Sequence, residues 1–341
     1  MKLYGGIDLH SNNSVIHIID EQGHVVFKKR ITNDLEKIKA YLHPYSHELM
    51  GLVVESTYNW YWLVDGLMAC GYTLHLANTA AIQQYSGLKY GDDDSDARWL
   101  AEMLRLNILP EGYIYPKAQR MIRDLLRKRG QLVQQSTKNL LSIQGLYHRH
   151  INARISANKV KSLTTDEVRR HFSDTNVCLA IESNLMVLRC IRKQINRVEN
   201  SLSKQVKLRD EFIHLTSTDG IGLTLGLTIM LETGDISRFD KVGQYASYCR
   251  CVNGARYSNG KKKSKTNTKN GNKYLAWAFV EAANYAIRYN DTIKKYYQRK
   301  LAKTHAMVAK GAVAHKLARA CYYILRDGVE FDVNKAFGTH V

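Results

Sequence analysis

Short apolar runs separated by turn residues fill the first 80 positions and predict an antiparallel meander followed by alternating helices and parallel strands. The predicted strands span 3–8, 14–20, 24–31, 50–55 and 72–77. The run MGLVVE at 50–55 is unbroken, which indicates a strand buried on both faces. Asn33-Asp34 is typical of a helix cap, and a second helix is predicted to begin at Trp60.

Long helices are predicted over residues 115–215, where the apolar period changes. A coiled-coil seam is indicated by residues that alternate spacings of three and four: Leu188, Ile191, Ile195, Val198 and Leu202. With a basic helix over 118–147 it would form a hairpin that acts as a spacer, or that dimerises or grips nucleic acid. We therefore expect an α/β plus α chain with a ribonuclease-H-like N-terminal domain, a helical coiled-coil hairpin and a mostly helical C-terminal domain. The expected boundaries are 1–110, 111–212 and 213–341.

Charge is distributed unevenly along the 341 residues, whose net charge is +19. Residues 1–110 hold 9 Lys and Arg against 13 Asp and Glu, whereas 250–319 hold 17 against 2. A field of one sign is the footprint of a polyanion, most often nucleic acid. Hydrophobic residues make up 45% of the chain and prolines number three, which excludes a mainly disordered protein.

The apolar runs are too short for a membrane protein. None approaches the roughly 20 residues that span a bilayer, and we expect no signal peptide, because the first residues enter a strand-like pattern directly. We expect a cytoplasmic protein without a membrane partner. The six cysteines lack metal-site spacing, so we expect reduced packing thiols rather than zinc ligands.

Four carboxylates are predicted to converge in the first domain. Asp8 and Glu55 end strands, while Asp93 and Asp96 stand three apart on one face of a helix. Charges about 4 Å apart repel by roughly 1 kcal/mol in water and about 4 kcal/mol at an effective dielectric near 20. Oxygen ligands select Mg²⁺ or Mn²⁺, and paired ions are the usual device for displacement at a phosphodiester. Helix caps or dipole partners would give the same pattern.

Turn chemistry at Ser258-Asn259-Gly260 would present a hydroxyl that could attack a phosphodiester and form a phosphoserine. The lysines that follow are more simply explained as phosphate contacts. The residues expected to contact nucleic acid there are Arg256, Lys261, Lys262, Lys263, Lys265, Lys269 and Lys273. Gly220 and Gly222 resemble the turn of a helix-hairpin-helix, whose amides bind phosphate, although an ordinary helix connection fits equally well.

Five motifs in order resemble transposases of the insertion sequence 110 family, particularly its 1111 subgroup, which are RNA-guided (bridge RNA or seekRNA) DNA recombinases. They are GIDLH, VVESTYNWYWLVDGL, DDSDARWLAEMLR, DGIG with LETGDISRF, and YSNGKKK with KNGNKYL. The resemblance implies a RuvC-like domain whose DEDD quartet matches Asp8, Glu55, Asp93 and Asp96. It also implies a serine nucleophile in the C-terminal transposase domain, matched by Ser258.

Two positions depart from the family pattern. KxDxxDA is replaced here by YGDDDSDA, so Asp93 rather than Asp92 is chosen by the DxxDA spacing. Around the serine, Asn253-Gly254 and Asn259-Gly260 stand where the family often has a proline and Gly-Gly, so either Ser258 or Ser264 could be the match. Ser258 is chosen because it precedes the basic run, as in the family.

What the resemblance implies about function is excision and insertion of the protein's own element with Mg²⁺, or Mn²⁺ in its place. Its expected partners are donor and target DNA, a structured noncoding guide RNA, and further copies in a homodimer that assembles to a tetramer. Two alternatives stay open. A metal-dependent nuclease would form no covalent intermediate, and a non-catalytic nucleic-acid-binding protein would form no adduct and show steep salt dependence.

Overall fold

The computed structural model describes residues 1–82, 93–206, 209–252, 254–259, 261–265 and 270–338. The chain divides into two compact units, Met1–Lys117 and Ala118–Val341. The further boundary expected at 212 stays a prediction. No helix in the described ranges is both long and apolar enough to cross a membrane.

A mixed six-stranded sheet forms the centre of the first unit, in the order β3-β2-β1-β4-β5-β6. The strands are β1 Leu3–Leu9, β2 Asn13–Ile19, β3 Val25–Thr32, β4 Leu49–Glu55, β5 Leu74–Ala77 and β6 Glu111–Gly112. β1, β2 and β3 pair antiparallel, while β1, β4 and β5 pair parallel. The predicted ribonuclease-H-like order is confirmed, and the short edge strand β6 is an addition that the sequence pattern did not indicate.

Helices cover both faces of this sheet: α1 Leu35–Leu42, α2 Tyr61–Ala69 and α3 Asp93–Arg105. The carboxylate of Asp34 caps α1 as predicted, accepting from the amides of Glu36 and Lys37. The helices α1 and α2 pack with Ile7 and Val54 on one face of the sheet. On the other face α3 packs against Val53.

Two long antiparallel helices begin the second unit, α4 Lys117–Ile151 and α7 Thr175–Val206. Arg129 donates to Glu199 at 2.6 Å, and Asn184 donates to Ser142 at 3.4 Å, so the helices run past each other as a hairpin. Two short helices that were not predicted, α5 Ala157–Ser162 and α6 Thr165–His171, close its tip.

The predicted seam of α7 is buried at its ends and only half-buried between them. Leu188 and Leu202 are each 1% exposed, because Leu188 packs in the core of the hairpin tip and Leu202 in the core of the C-terminal helices. Ile191 and Ile195 lie between these cores and stay partly exposed.

The C-terminal part consists of helices and one two-stranded ribbon. The helices are α8 Asp210–Thr216, α9 Leu223–Thr233, α10 Val242–Tyr248, α11 Lys273–Tyr289, α12 Asp291–Leu301, α13 Ala306–Asp327 and α14 Val333–Phe337. The ribbon strands are β7 Ala255–Ser258 and β8 Lys261–Lys265. The apolar α9 is buried among α8, α10, α11 and α13. The expected helix start at Lys273 is confirmed, with Asn272 as its cap.

Candidate active site

Strand register brings Asp8 and Glu55 to the same edge of the sheet. β1 and β4 are parallel neighbours in which Ile7 pairs with Val54, so Asp8 and Glu55 are the next residues on adjacent strands. Asp8 is 4% exposed, and a hydrogen bond joins its carboxyl group to that of Glu55. Two carboxyl groups can share such a bond only when one of them carries a proton.

Gly6 allows the helix that carries Asp96 to lie directly on this edge. A Cβ atom at Gly6 would overlap the carbonyl oxygen of Ala97 and lie 2.7 Å from the amide nitrogen of Ala101. Ala97 and Ala101 are fully buried in α3, so small residues on both sides permit the contact. Asp96 therefore sits at the face where Asp8 and Glu55 end their strands.

The pKa of Glu55 reflects this convergence. Burial, the hydrogen bond to Asp8 and the negative charges of Asp8 and Asp96 raise the pKa of Glu55 from 4.5 to about 7. The cluster thus carries more negative charge than its surroundings neutralise, and a cation with oxygen ligands would relieve it.

The fourth predicted carboxylate, Asp93, is the first residue of α3, three positions before Asp96. Asp92 lies outside the described residues. Among the side chains that the structure describes, no three acidic, histidine or cysteine groups are arranged to hold a metal by themselves. The complete quartet stays a prediction.

Ser258 ends strand β7, where its backbone pairs with Lys261 across the turn. Asn259 has a φ of 51°, the left-handed conformation that Asn adopts in tight hairpin turns. A turn is therefore present at Asn259, while Gly260 of the predicted turn lies outside the described residues; the strands on either side were not indicated by sequence reasoning. Ser264 instead lies within the paired region, opposite Arg256.

The predicted basic residues follow this ribbon. Lys261, Lys262, Lys263 and Lys265 belong to β8, and Lys273 is exposed at the start of α11. Lys269 lies outside the described residues. Their contact with nucleic acid stays a prediction.

The two glycines of the GIG turn have different structural roles. Gly220 has a φ of +89°, and a Cβ there would lie 2.5 Å from the carbonyl oxygen of Ala282 and 2.6 Å from the amide of Ala286. Helix packing therefore explains Gly220 without a ligand. Gly222 precedes α9 with open space around its Cα, and no side chain caps this helix.

Comparison with known families decides the identity of the chain. A model described as a transposase and named for the DEDD domain of IS110 matches residues 5–150. A second model, transposase of the IS116/IS110/IS902 family, matches residues 213–298. The chain belongs to the IS110 family of transposases. Among curated proteins, no match to the chain is found.

Membership agrees with the acidic site and indicates dependence on a divalent metal. The DEDD family model spans Asp8, Glu55, Asp93 and Asp96, and family membership makes DNA the substrate of this IS110-family transposase. The donor set fits such an ion, because carboxylate oxygens are the ligands that divalent Mg²⁺ or Mn²⁺ prefers, and a cation there would offset the negative charges that raise the pKa of Glu55. In this transposase the sheet and α3 bring Asp8, Glu55 and Asp96 to one edge.

His10 at the acidic edge was missed by sequence reasoning, although it stands in the GIDLH motif. Its Nε2 lies 3.2 Å from Oδ2 of Asp8. The amide groups of Asn33 and Asn59 each donate to its backbone oxygen at 2.9 Å, which fixes the chain where β1 ends. The ring of His10 is therefore held beside Asp8 in this transposase.

A buried charge pair was also missed. Glu232 is 1% exposed and receives two hydrogen bonds from Arg127 and one, at 2.8 Å, from Asn272. The signal was a single acid inside the apolar run LTLGLTIMLET, because such an acid needs a buried partner. Arg250, which donates at 2.9 Å to the carbonyl oxygens of Asn270 and Gly271, holds the chain just before α11.

Proposed function

We propose that this transposase is an RNA-guided recombinase that excises and inserts its own element by cutting and rejoining DNA strands through a phosphoserine. The convergence of Asp8, Glu55 and Asp96, with the pKa of Glu55 raised to about 7, carries the metal-dependent strand chemistry of this proposal. A cluster of carboxylates with excess negative charge is the arrangement that metal-assisted phosphodiester chemistry requires.

Asp8, Glu55, Asp93 and Asp96 would hold Mg²⁺, or Mn²⁺ in its place. When bound, the metal supplies positive charge that orients the scissile phosphate and stabilises charge developing on its oxygens. The chain contributes a buried Asp8 and a strand register that keeps Glu55 beside it.

Ser258 would be the nucleophile. Its hydroxyl oxygen bonds to phosphorus as the bond from phosphorus to the DNA 3′ oxygen breaks, and the departing oxygen takes up the serine proton. A 3′ hydroxyl of a second strand then attacks the phosphoserine and releases Ser258 with its proton restored. The turn at Asn259 and the lysines of β8, which supply positive charge for the phosphate, support this role.

A structured noncoding RNA would supply the target sequence by pairing with donor and target DNA, while the protein binds backbone and shape. The 17 basic residues against 2 acidic ones in 250–319 support binding to polyanions such as DNA and RNA. We further propose a homodimer that assembles to a tetramer, in which Ser258 and the carboxylates of one site come from different protomers. The half-buried Ile191 and Ile195 of the hairpin support such association.

The test is to trap the covalent intermediate. The full chain is incubated with RNA from its own element, donor and target DNA and Mg²⁺, then denatured and examined for a protein-DNA adduct. We expect an adduct in wild type and in Ser264→Ala, and none in Ser258→Ala, Asp8→Asn, Asp93→Asn or wild type without RNA. Asp34→Asn, which changes a carboxylate outside the predicted quartet into an amide that can still cap α1, should still form it.

Each result that differs from these expectations has a definite interpretation. An adduct in Ser258→Ala contradicts the serine assignment, and one in Asp93→Asn contradicts the metal role. Strand cleavage without any adduct identifies a metal-dependent nuclease. Formation without RNA contradicts RNA guidance.

A further inference from the structure

A cavity of about 670 Å³ lies between the GIG turn and the exposed face of α11. Residues 216–225 form one wall, and Trp277, Glu281, Tyr285 and Tyr289 form the other, with Arg129 at the side. All of these residues belong to the second compact unit. None of them belongs to the acidic cluster of Asp8, Glu55 and Asp96 or to the β7–β8 ribbon that carries Ser258.

The cavity wall formed by residues 216–225 offers backbone N–H groups that have no partner within α9. The first intrahelical bond of α9 is donated by Gly226 to Gly222 at 2.8 Å, so the amides of residues 223–225 have no partner within the helix. Thr218 lines the same cavity, is 2% exposed, and its hydroxyl has no hydrogen-bond partner within the described part of the chain. A buried hydroxyl without a partner costs free energy, and a polar group that reached it would recover that cost.

The α11 side is an exposed aromatic stripe. Trp277, Glu281, Tyr285 and Tyr289 follow one another at intervals of four, which places them on one helix face. Trp277, Tyr285 and Tyr289 are 45%, 46% and 70% exposed, whereas the opposite face of α11 is buried. The rings of Tyr285 and Tyr289 are parallel within 5°, with centroids 6.5 Å apart. Aromatic faces presented in this way stack on nucleobases.

The charges around the cavity favour one orientation of a bound ligand. A phosphate is favoured at the uncapped start of α9, where the helix dipole is positive, and disfavoured beside the carboxylate of Glu281. A base beside Glu281 can instead donate its exocyclic amino group, as cytosine does and thymine cannot. The other two charged side chains that line the cavity already have partners. The carboxylate of Asp219 accepts a hydrogen bond from Asn290 at 2.7 Å, and Arg129 donates to Glu199.

We propose that this cavity binds a nucleotide of single-stranded DNA, with its phosphate at Thr218 and the first turn of α9 and its base on the stripe of α11. A duplex keeps its base faces stacked inside, so the site selects unpaired DNA. The choice of DNA over other polyanions rests on the proposed function.

Binding of the full chain to labelled oligo-dC in EDTA tests the site without any strand chemistry. The double substitution Tyr285→Ala/Tyr289→Ala should weaken this binding about 5- to 100-fold. Its salt dependence should keep the wild-type slope, because no phosphate contact is lost. Tyr323→Ala removes a tyrosine of similar exposure on α13, 38%, and should leave affinity unchanged.

Three further measurements locate the contacts. Oligo-dC should quench Trp277 fluorescence, a signal absent in Trp277→Phe. Thr218→Val should weaken binding without lowering stability, since it removes an unpaired hydroxyl at constant shape. Glu281→Gln should bring the affinities for oligo-dC and oligo-dT closer together.

Unchanged affinity in the double variant overturns the proposal, as does an equal loss for duplex DNA. A loss seen with single-stranded RNA but not with DNA overturns the assignment to DNA. Ser258→Ala should bind oligo-dC as wild type does, so failure of the phosphoserine mechanism and failure of this site give different results.

Discussion

The guanidinium of Arg127 binds the carboxylate of Glu232 through two parallel hydrogen bonds, 2.6 Å from Nε to Oε1 and 2.7 Å from Nη2 to Oε2. Arg127 lies on the hairpin helix α4, and Glu232 near the end of the buried α9. Asn272, the cap of α11, donates to the same carboxylate. Arg127, Glu232 and Asn272 therefore join the hairpin to the start of α11.

Arg127→Met should destabilise the chain by about 3 kcal/mol or more, because it leaves the carboxyl group of Glu232 without its guanidinium partner in a site that is 1% exposed. Urea unfolding measures the change. Glu232→Leu on its own should also be costly, while the double variant Arg127→Met/Glu232→Leu should lose less than the two single variants added together.

A surface pair provides the matched control. Arg169 and Glu182 form a similar ion pair at 2.9 Å, but Arg169 is 67% exposed. Arg169→Met should cost about 1 kcal/mol or less, since water and salt screen the pair. Equal costs for Arg127→Met and Arg169→Met would contradict the role assigned to burial.

Gly6→Ala should displace α3 from the sheet and destabilise the fold by about 3 kcal/mol, because the new methyl group meets backbone atoms of Ala97 and Ala101 that cannot rotate away. Thermal unfolding measures the loss. The same variant should lose Mg²⁺ binding in calorimetry, because Asp96 moves with α3.

Gly311→Ala is the control for this substitution. Gly311 lies inside α13 with no atom within 4 Å of an added Cβ. Alanine there should stabilise the chain by about 0.5 to 1 kcal/mol through helix propensity. Wild-type metal binding in Gly6→Ala would show that the close contact does not position Asp96.

The convergence of Asp8 and Glu55 was predictable because the ends of adjacent parallel strands meet at one edge, and the apolar pattern revealed both strands. The spacing of Asp93 and Asp96 placed both on one face of a helix. How closely that helix approaches depends on Gly6 against Ala97, a contact between residues 91 positions apart that no local pattern encodes.

Long-range polar contacts limited the prediction elsewhere. Arg127 and Glu232 are 105 positions apart, so only the lone acid in an apolar run hinted at a partner. The ribbon of β7 and β8 was missed because a run of lysines has low strand propensity, and pairing across the turn overrides that preference.

Asp96→Asn should lower the pKa of Glu55, because it removes one of the negative charges that oppose ionisation of Glu55. A carbon-13 NMR titration of glutamate carboxyl groups in EDTA measures the shift, with Glu55→Gln identifying the resonance. Asp65→Asn, on α2, should leave the Glu55 titration in place. An unshifted Glu55 in Asp96→Asn would mean that Asp96 lies outside the cluster.

Glu55 should also make stability depend on pH when metal is absent. Its pKa is about 7 in the folded chain and returns to its ordinary value near 4.5 on unfolding. Between these values the folded state holds a proton that the unfolded state has lost, so the free energy of unfolding falls as pH rises through this window and levels off above it. Glu55→Gln removes this dependence. The stability of Glu55→Gln relative to wild type, from urea unfolding in EDTA, should therefore be greater at pH 8 than at pH 5. Added Mg²⁺ should reverse the trend by stabilising only the wild type at pH 8. A stability difference between the two proteins that stays constant with pH would contradict the raised pKa of Glu55 in the folded chain.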